Sequence, residues 1–351
     1  METRKIQQVS NGTFTVSLPR EWADAVGITT GTVVDLHTHI DGLLVVQPPG
    51  SDSHAVETVT LAVDDQRPAN LEQTLRAAYL AGPDEIALTS ESGFTAEQQH
   101  AVRSAVRNLV GVTITDESET HMRARNVLDA NEVSVRQSVR QLQFVALSMH
   151  REATAALLGL ESPAAVVSRD DRADRLYQMT DRYFTRALAR LDEVDALGET
   201  RQQLFYLHAV ARAVERVADH AERIAAVAAD IDDQLPDSIA DDIDAIAHDA
   251  RDAVETAVDA VFAGGSIPAA RDVLETSERV QSDLDSLERR LFEEGDADYR
   301  LVRVLDSLDR TVEHANTIAE AGVRRALCSG DDADGTDDAT GTDSERQSSA
   351  T

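Results

Sequence analysis

Glu215, Asp219 and Glu222 stand at i, i+4 and i+7 beside an apolar stripe of Leu207, Val210, Val214, Val217, Ala221, Ile224, Ala228 and Ile231. Apolar steps of three and four define one face of a helix, so the acids stack along its margin. Carboxylates at that spacing repel unless a positive charge intervenes. A hard or borderline cation that accepts oxygen ligands turns the repulsion into binding. The same residues also read as a solvated acidic surface held by Arg216 and Arg223.

The unit recurs 94 residues further on, where Asp309-Arg-Thr-Val-Glu-His-Ala-Asn-Thr-Ile-Ala319 answers to Glu215-Arg-Val-Ala-Asp-His-Ala-Glu-Arg-Ile-Ala225. Five identities in eleven, with both leading acids kept acidic at Asp309 and Glu313, indicate a duplicated helical unit. His220 and His314 repeat too, each about 100° round the helix from its acidic neighbour. That offset suits surface or inter-helix hydrogen bonding better than metal ligation.

The elements that must position these residues are helical. From about Asn126 onward, six periodic segments separate at roughly 128–158, 167–197, 200–233, 237–262, 268–294 and 298–327. Breaks fall at Gly159–Pro163, Leu197–Gly198, Pro236, Gly264–Pro268 and Gly295. Two three-helix bundles in tandem, over 122–234 and 236–328, are the simplest architecture. Met149 and the Phe144/Val145 region sit on an apolar stripe and read as core, and Gly264-Gly265 reads as a helix break.

Two smaller units precede the bundles. Residues 1–50 alternate short strands around Asn11-Gly12 and Asp41-Gly42, with a short helix after Pro19. So small a β-rich unit buries little core alone, which implies dimerisation or docking. Residues 55–118 read as a small α+β domain of order β-α-β-α-β, with Asn70 and Thr95 as helix caps. Its Glu97-Gln-Gln-His100 reads as solvated surface. The fold class is therefore mainly α and multidomain, with tandem bundles after a β-rich and an α+β unit.

The stretch TFTVSLPREWADAVGITTGTVVDL…DGLLVVQP resembles the AbrB/SpoVT/MazE-type swapped-hairpin domain, in which two chains interleave. That resemblance implies a homodimer through the N-terminal domain and makes Arg4, Lys5 and Arg20 the candidate DNA-facing residues. Residues 1–50 nonetheless hold three basic and five acidic residues, a net of −2, and phosphate neutralisation supplies much of the affinity for DNA. Dimerisation without DNA binding stays open.

Residues 120–327 resemble the PhoU family of phosphate-homeostasis proteins, in the archaeal arrangement with an AbrB-type domain in front. The family's E(D)-x-x-x-D motifs align with Asp170-Asp-Arg-Ala-Asp174 and Glu215-Arg-Val-Ala-Asp219. The resemblance thus implies a metal site of Asp170, Asp174, Glu215 and Asp219, for iron, zinc, or Mg/Mn/Ca, with no organic cofactor. A second, weaker site has Asp309 and Glu313, because Ser277 and Gln281 stand where Asp170 and Asp174 do. The implied function is regulation of phosphate uptake and homeostasis. Its routes are a phosphate ABC transporter component, a phosphate-response regulator, or promoter DNA bound directly. A non-DNA-binding adaptor and a metal-binding or storage protein are the alternatives.

Composition frames these readings. There are 64 acidic residues against 33 basic ones, of which only Lys5 is a lysine, and the net charge is −31. Apolar residues still reach 42%, so the charge coats folded surfaces rather than marking a disordered chain. The balance resembles that of halophilic archaeal proteins, whose self-repulsion concentrated salt screens. One cysteine, Cys328, fits a reducing compartment. METRKIQQVS lacks an apolar signal core and no stretch has a membrane helix's apolar run, so a cytoplasmic, non-integral protein is expected. No phosphate loop, nucleophile elbow or paired Glu-x-x-His appears, so no enzymatic activity is expected. Residues 329–351 read as a disordered acidic tail.

Overall fold

The computed structural model describes residues 3–9, 12–48, 57–64, 66–231, 235–294 and 298–329. The expected linker at Gly50–His54 and nearly all of the expected acidic tail lie outside them.

Two bundles dominate. The first holds α4 (Val135–Leu157), α5 (Ala164–Ala189), α6 (Leu191–Leu197) and α7 (Arg201–Asp230). The second holds α8 (Asp237–Phe262), α9 (Ile267–Glu294) and α10 (Tyr299–Ser329). Thr200 begins α7 with a reciprocal cap: its hydroxyl accepts from the Gln203 backbone N–H, and the Gln203 side chain accepts from the Thr200 backbone N–H. From Leu207 to Ile224 the stripe of α7 is fully buried, and Leu308, Val312, Ala315 and Ile318 repeat that burial on α10. These helices pack together and against α4 and α8, so one apolar core runs through both bundles.

Three local departures have physical causes. The segment expected from residue 128 begins as a helix only at Val135. Asp129 first caps a short 3-10 turn at Ala130–Glu132, and Ser134 then caps α4. The segment expected to run unbroken to 197 turns extended at Arg190, which brings Glu193 back onto Arg186 at 2.6 Å. Gly265 is more than a helix break. Its φ is +102°, and a Cβ there would sit 2.4 Å from the Gly322 carbonyl on α10, so only glycine lets the turn lie against that helix. Val145 and Met149 are core as expected, but Phe144 is 74% exposed, one residue off the buried face of α4.

The α+β domain comprises β5 (Thr58–Ala62), α2 (Pro68–Leu80), β6 (Glu85–Thr89), α3 (Ala96–Asn108), β7 (Val112–Glu117) and β8 (His121–Asn126). Its sheet has the order β5-β6-β8-β7, with only the β5–β6 pair parallel. The expected order stops one strand short, because β8 carries Arg123 and Arg125 on alternate positions and shows no apolar run. Both arginines pair with Glu85 of the neighbouring strand, at 3.0 and 3.2 Å. Thr95 caps α3 as expected, whereas α2 starts before Asn70, with Pro68 in its first turn.

The N-terminal unit pairs β1 (Gln7–Val9) with β2 (Thr13–Thr15) and β3 (Asp35–Thr38) with β4 (Leu44–Gln47), around α1 (Arg20–Ala25). Among its described residues, 3–9 and 12–48, only His39 is buried. Ile6, Phe14, Val33, Leu36 and Leu44 all stand exposed. Among the described residues, a single copy of this unit buries no apolar side chain.

Candidate metal centre

Helices α5 and α7 pack side by side in the first bundle, and their facing margins carry the acids. Asp174 from α5 meets Glu215 and Asp219 from α7, each with one carboxylate oxygen within 4.8 Å of the others. Asp174 and Asp219 are partly exposed, while Glu215 is buried. Arg216 supplies the nearest compensation, 2.8 Å from Asp219 and 3.5 Å from Glu215. Asp174 Oδ2 lies 3.5 Å from Gln178 and 3.5 Å from Arg76, which reaches in from α2.

That compensation is incomplete. Glu215 Oε2 is buried and receives no hydrogen bond, a costly state for a carboxylate oxygen. Burial first, then the Asp219 charge, pushes Glu215 up to about 7. Asp174 is raised as well, chiefly by burial. Three carboxylate oxygens from two rigid helices, one of them buried with no hydrogen bond and only the Arg216 guanidinium 3.5 Å away, fit a hard cation with part of its coordination sphere left for water or another ligand.

Asp170, the fourth expected ligand, stands apart from this trio. It is pushed up to about 7 by burial and then by Glu222, with Asp174 and Asp219 further behind. Asp170 and Glu222 thus form a like-charge pair one turn away.

The second repeat replaces this arrangement with neutral groups. Ser277 and Asn316, equivalent to Asp170 and Glu222, hydrogen bond at 2.7 Å. Gln281 approaches Asp309 at 3.5 Å where Asp174 would be, and Arg310 holds Glu313 at 2.8 Å. Burial and Glu313 raise Asp309. Among the described residues, Asp309 and Glu313 therefore gain no third acidic partner of the kind that Asp174 gives the first repeat.

His220 and His314 do not bridge the helices by hydrogen bonds. Their rings stack, with centroids 5.5 Å apart and planes at 23°. Burial first, then Arg223, pushes His220 down to about 4, and burial lowers His314. His150 carries no signal in the sequence because it sits inside an apolar stripe. It is fully buried on α4, 3.4 Å from Thr311 on α10 and 3.5 Å from Arg251 on α8. Burial pushes it down to about 3, so it packs as a neutral ring where the bundles join.

Other chemistry-bearing side chains are dispersed. Glu97 and His100 are exposed on α3. Ser118 lies 2.5 Å from His121, which lies 2.9 Å from Asp116. That Ser118 hydroxyl also accepts from the backbone N–H groups of Thr120 and His121, so it closes the β7–β8 turn. Arg4 and Lys5 lead into β1 and are exposed, and Arg20 opens α1 and pairs with Asp24 at 3.5 Å.

Residues 139–228, which span both carboxylate-bearing helices, match the PhoU domain family. Over those residues the chain is similar to the PhoU domain. The second bundle lies outside that match. Residues 7–53 match the family described as antidote-toxin recognition MazE, bacterial antitoxin. Among solved structures the chain is similar to PhoU from Pseudomonas aeruginosa, at 22% identity and a TM-score of 0.47, covering 56% of this chain and 96% of that one. No curated protein is similar enough to count as a match. No helix among the described residues is long and apolar enough to cross a membrane.

Proposed function

We propose that this chain is a dimeric regulator of phosphate uptake and homeostasis whose PhoU domain holds a cation between α5 and α7. The observation that carries the reading is the match over residues 139–228 together with the meeting of Asp174, Glu215 and Asp219 inside it. Asp174, Glu215 and Asp219 are the ligands in this reading, and Asp170 serves as an outer acid. Their all-oxygen character favours iron, manganese, magnesium or calcium over zinc, which takes nitrogen and sulfur more readily. Asp309 and Glu313 form a site of lower affinity.

The MazE-like unit supplies the dimer. Its exposed Ile6, Phe14, Val33, Leu36 and Leu44 are the side chains that two interleaved copies bury. Dimerisation places two sets of Arg4, Lys5 and Arg20 together, the face proposed for promoter DNA. A second reading, an adaptor that reaches a phosphate transporter without touching DNA, is favoured by the unit's net charge of −2 and by the pairing of Arg20 with Asp24.

Genome-wide transcripts in a deletion strain at high and low phosphate test the reading as a whole. Phosphate-transport genes should lose their phosphate response, and an unaltered response would refute it. Salt-titrated binding to phosphate-transport promoter DNA separates the two routes. A salt-dependent complex weakened by Arg4→Ala and Lys5→Ala supports the DNA route. Absence of binding at every salt concentration supports the adaptor.

A further inference from the structure

The α+β domain is docked through one stripe of α5. Asp174, Gln178, Arg182 and Arg186 follow one another in steps of four along that helix, and Arg190 stands just past its end. Arg182 is fully buried and donates to the Tyr79 and Pro83 carbonyls at the end of α2. Arg186 donates to the Gly82 carbonyl at 2.9 Å and to Asp84 at 2.6 Å, and Arg190 reaches Asp84 at 3.2 Å. Cations placed on the carbonyl end of a helix are favoured by its dipole. At the opposite end of the stripe the direction reverses, and α2 sends Arg76 onto Asp174. The carboxylate trio and the docking seam therefore share one residue.

We propose that Arg76 is a built-in competitor for the cation site, and that cation binding and the docking of α2 are consequently opposed. This inference rests on the metal reading of Asp174, Glu215 and Asp219. Arg76 lies 3.5 Å from the Asp174 oxygen that also faces Gln178, and its side chain is about half exposed, at 54%. It can swing into solvent without leaving a buried group unpaired. A divalent ion among the three carboxylates takes the negative charge that holds Arg76, and the two cations then repel. Among the described residues the second repeat shows no such competitor: α9 packs against α8 and α10, and Gln281 stands where Asp174 would. By linkage, whatever factor Arg76 removes from cation affinity, the cation must remove from α2 docking. For a half-exposed guanidinium that factor is roughly three- to tenfold. The α+β domain becomes the element that senses occupancy.

The test uses the full-length protein in screening salt with Mn2+ as the probe. Calorimetric titration of the wild type is set beside Arg76→Ala, Arg76→Lys and Asp174→Asn. Hydrogen exchange over residues 72–80 is then measured with and without saturating Mn2+. Arg76→Ala should bind Mn2+ roughly three- to tenfold more tightly, while Arg76→Lys stays near wild type. Saturation should lower the protection of residues 72–80 by the same factor in the wild type and leave Arg76→Ala unchanged. Unchanged affinity in Arg76→Ala overturns the inference, as does tighter binding with no change of wild-type exchange. A wild type that binds no Mn2+, or an Asp174→Asn variant that binds it fully, overturns the metal reading and this inference with it.

Discussion

Glu215→Gln should stabilise the metal-free protein at alkaline pH, and by an amount that vanishes in acid. Glu215 is buried against Asp219, with one oxygen lacking a hydrogen-bond donor, and is pushed from 4.5 up to about 7. A carboxyl whose folded value lies above its unfolded value binds more protons folded than unfolded between those two values. Stability therefore falls as pH rises from 4.5 to 7 and stays low above that window. At 1.36 kcal/mol per pH unit, the ionised side chain costs the folded chain about 3 kcal/mol at most. Glutamine keeps the shape without the charge, so the variant should gain about 1–3 kcal/mol at pH 8 and close to nothing at pH 4.5. Urea unfolding with a chelator in molar salt, at both pH values, measures it. With metal present the sign should reverse, because the variant loses a ligand. A metal-free variant that is less stable than wild type at pH 8 would refute the reasoning, since it would mean that the buried charge is already satisfied.

Other outcomes follow from the same structure. Phe14→Asp, on the exposed β2 strand of the N-terminal unit, should turn a dimer into a monomer by light scattering while the helical circular dichroism signal survives. Gly265→Ala should lower stability by about 2 kcal/mol or more, through a positive φ and a backbone collision with Gly322, measured as a lower urea midpoint. His150, neutral and buried with a value near 3, binds fewer protons folded than unfolded between about 3 and 6.5. It should make stability rise with pH across that window by about 1.4 kcal/mol per unit. His150→Gln should remove that increment from the pH–stability slope.

The helical architecture was legible because α7 and α10 repeat both an apolar period and a sequence, and burial follows that period residue by residue. Six expected segments became seven helices only because Arg190 leaves the helix to meet Asp84 of another domain, a long-range contact with no local signature. β8 was invisible for a related reason: its arginines satisfy Glu85 across the sheet, so a strand with a charged outer face carried no alternating apolar signal. Within the site, Asp174, Glu215 and Asp219 were readable from the i, i+4 spacing and the family motif. Sequence could not separate Asp170 from them, because helix spacing places it on the same face and only the packing of α5 on α7 sets which acid reaches across. Arg76 was wholly hidden, lying 98 residues from Asp174 in sequence. The repeat of His220 at His314 is visible in the sequence, but their stacking depends on the approach of α7 to α10.

The most direct measurement is elemental analysis of the purified full-length protein beside two double variants, Asp174→Ala/Asp219→Ala and Asp309→Ala/Glu313→Ala. The account predicts bound metal in the wild type, its loss in the first variant and its near-complete retention in the second. Metal content unchanged by Asp174→Ala/Asp219→Ala, or lost only with Asp309→Ala/Glu313→Ala, would contradict it.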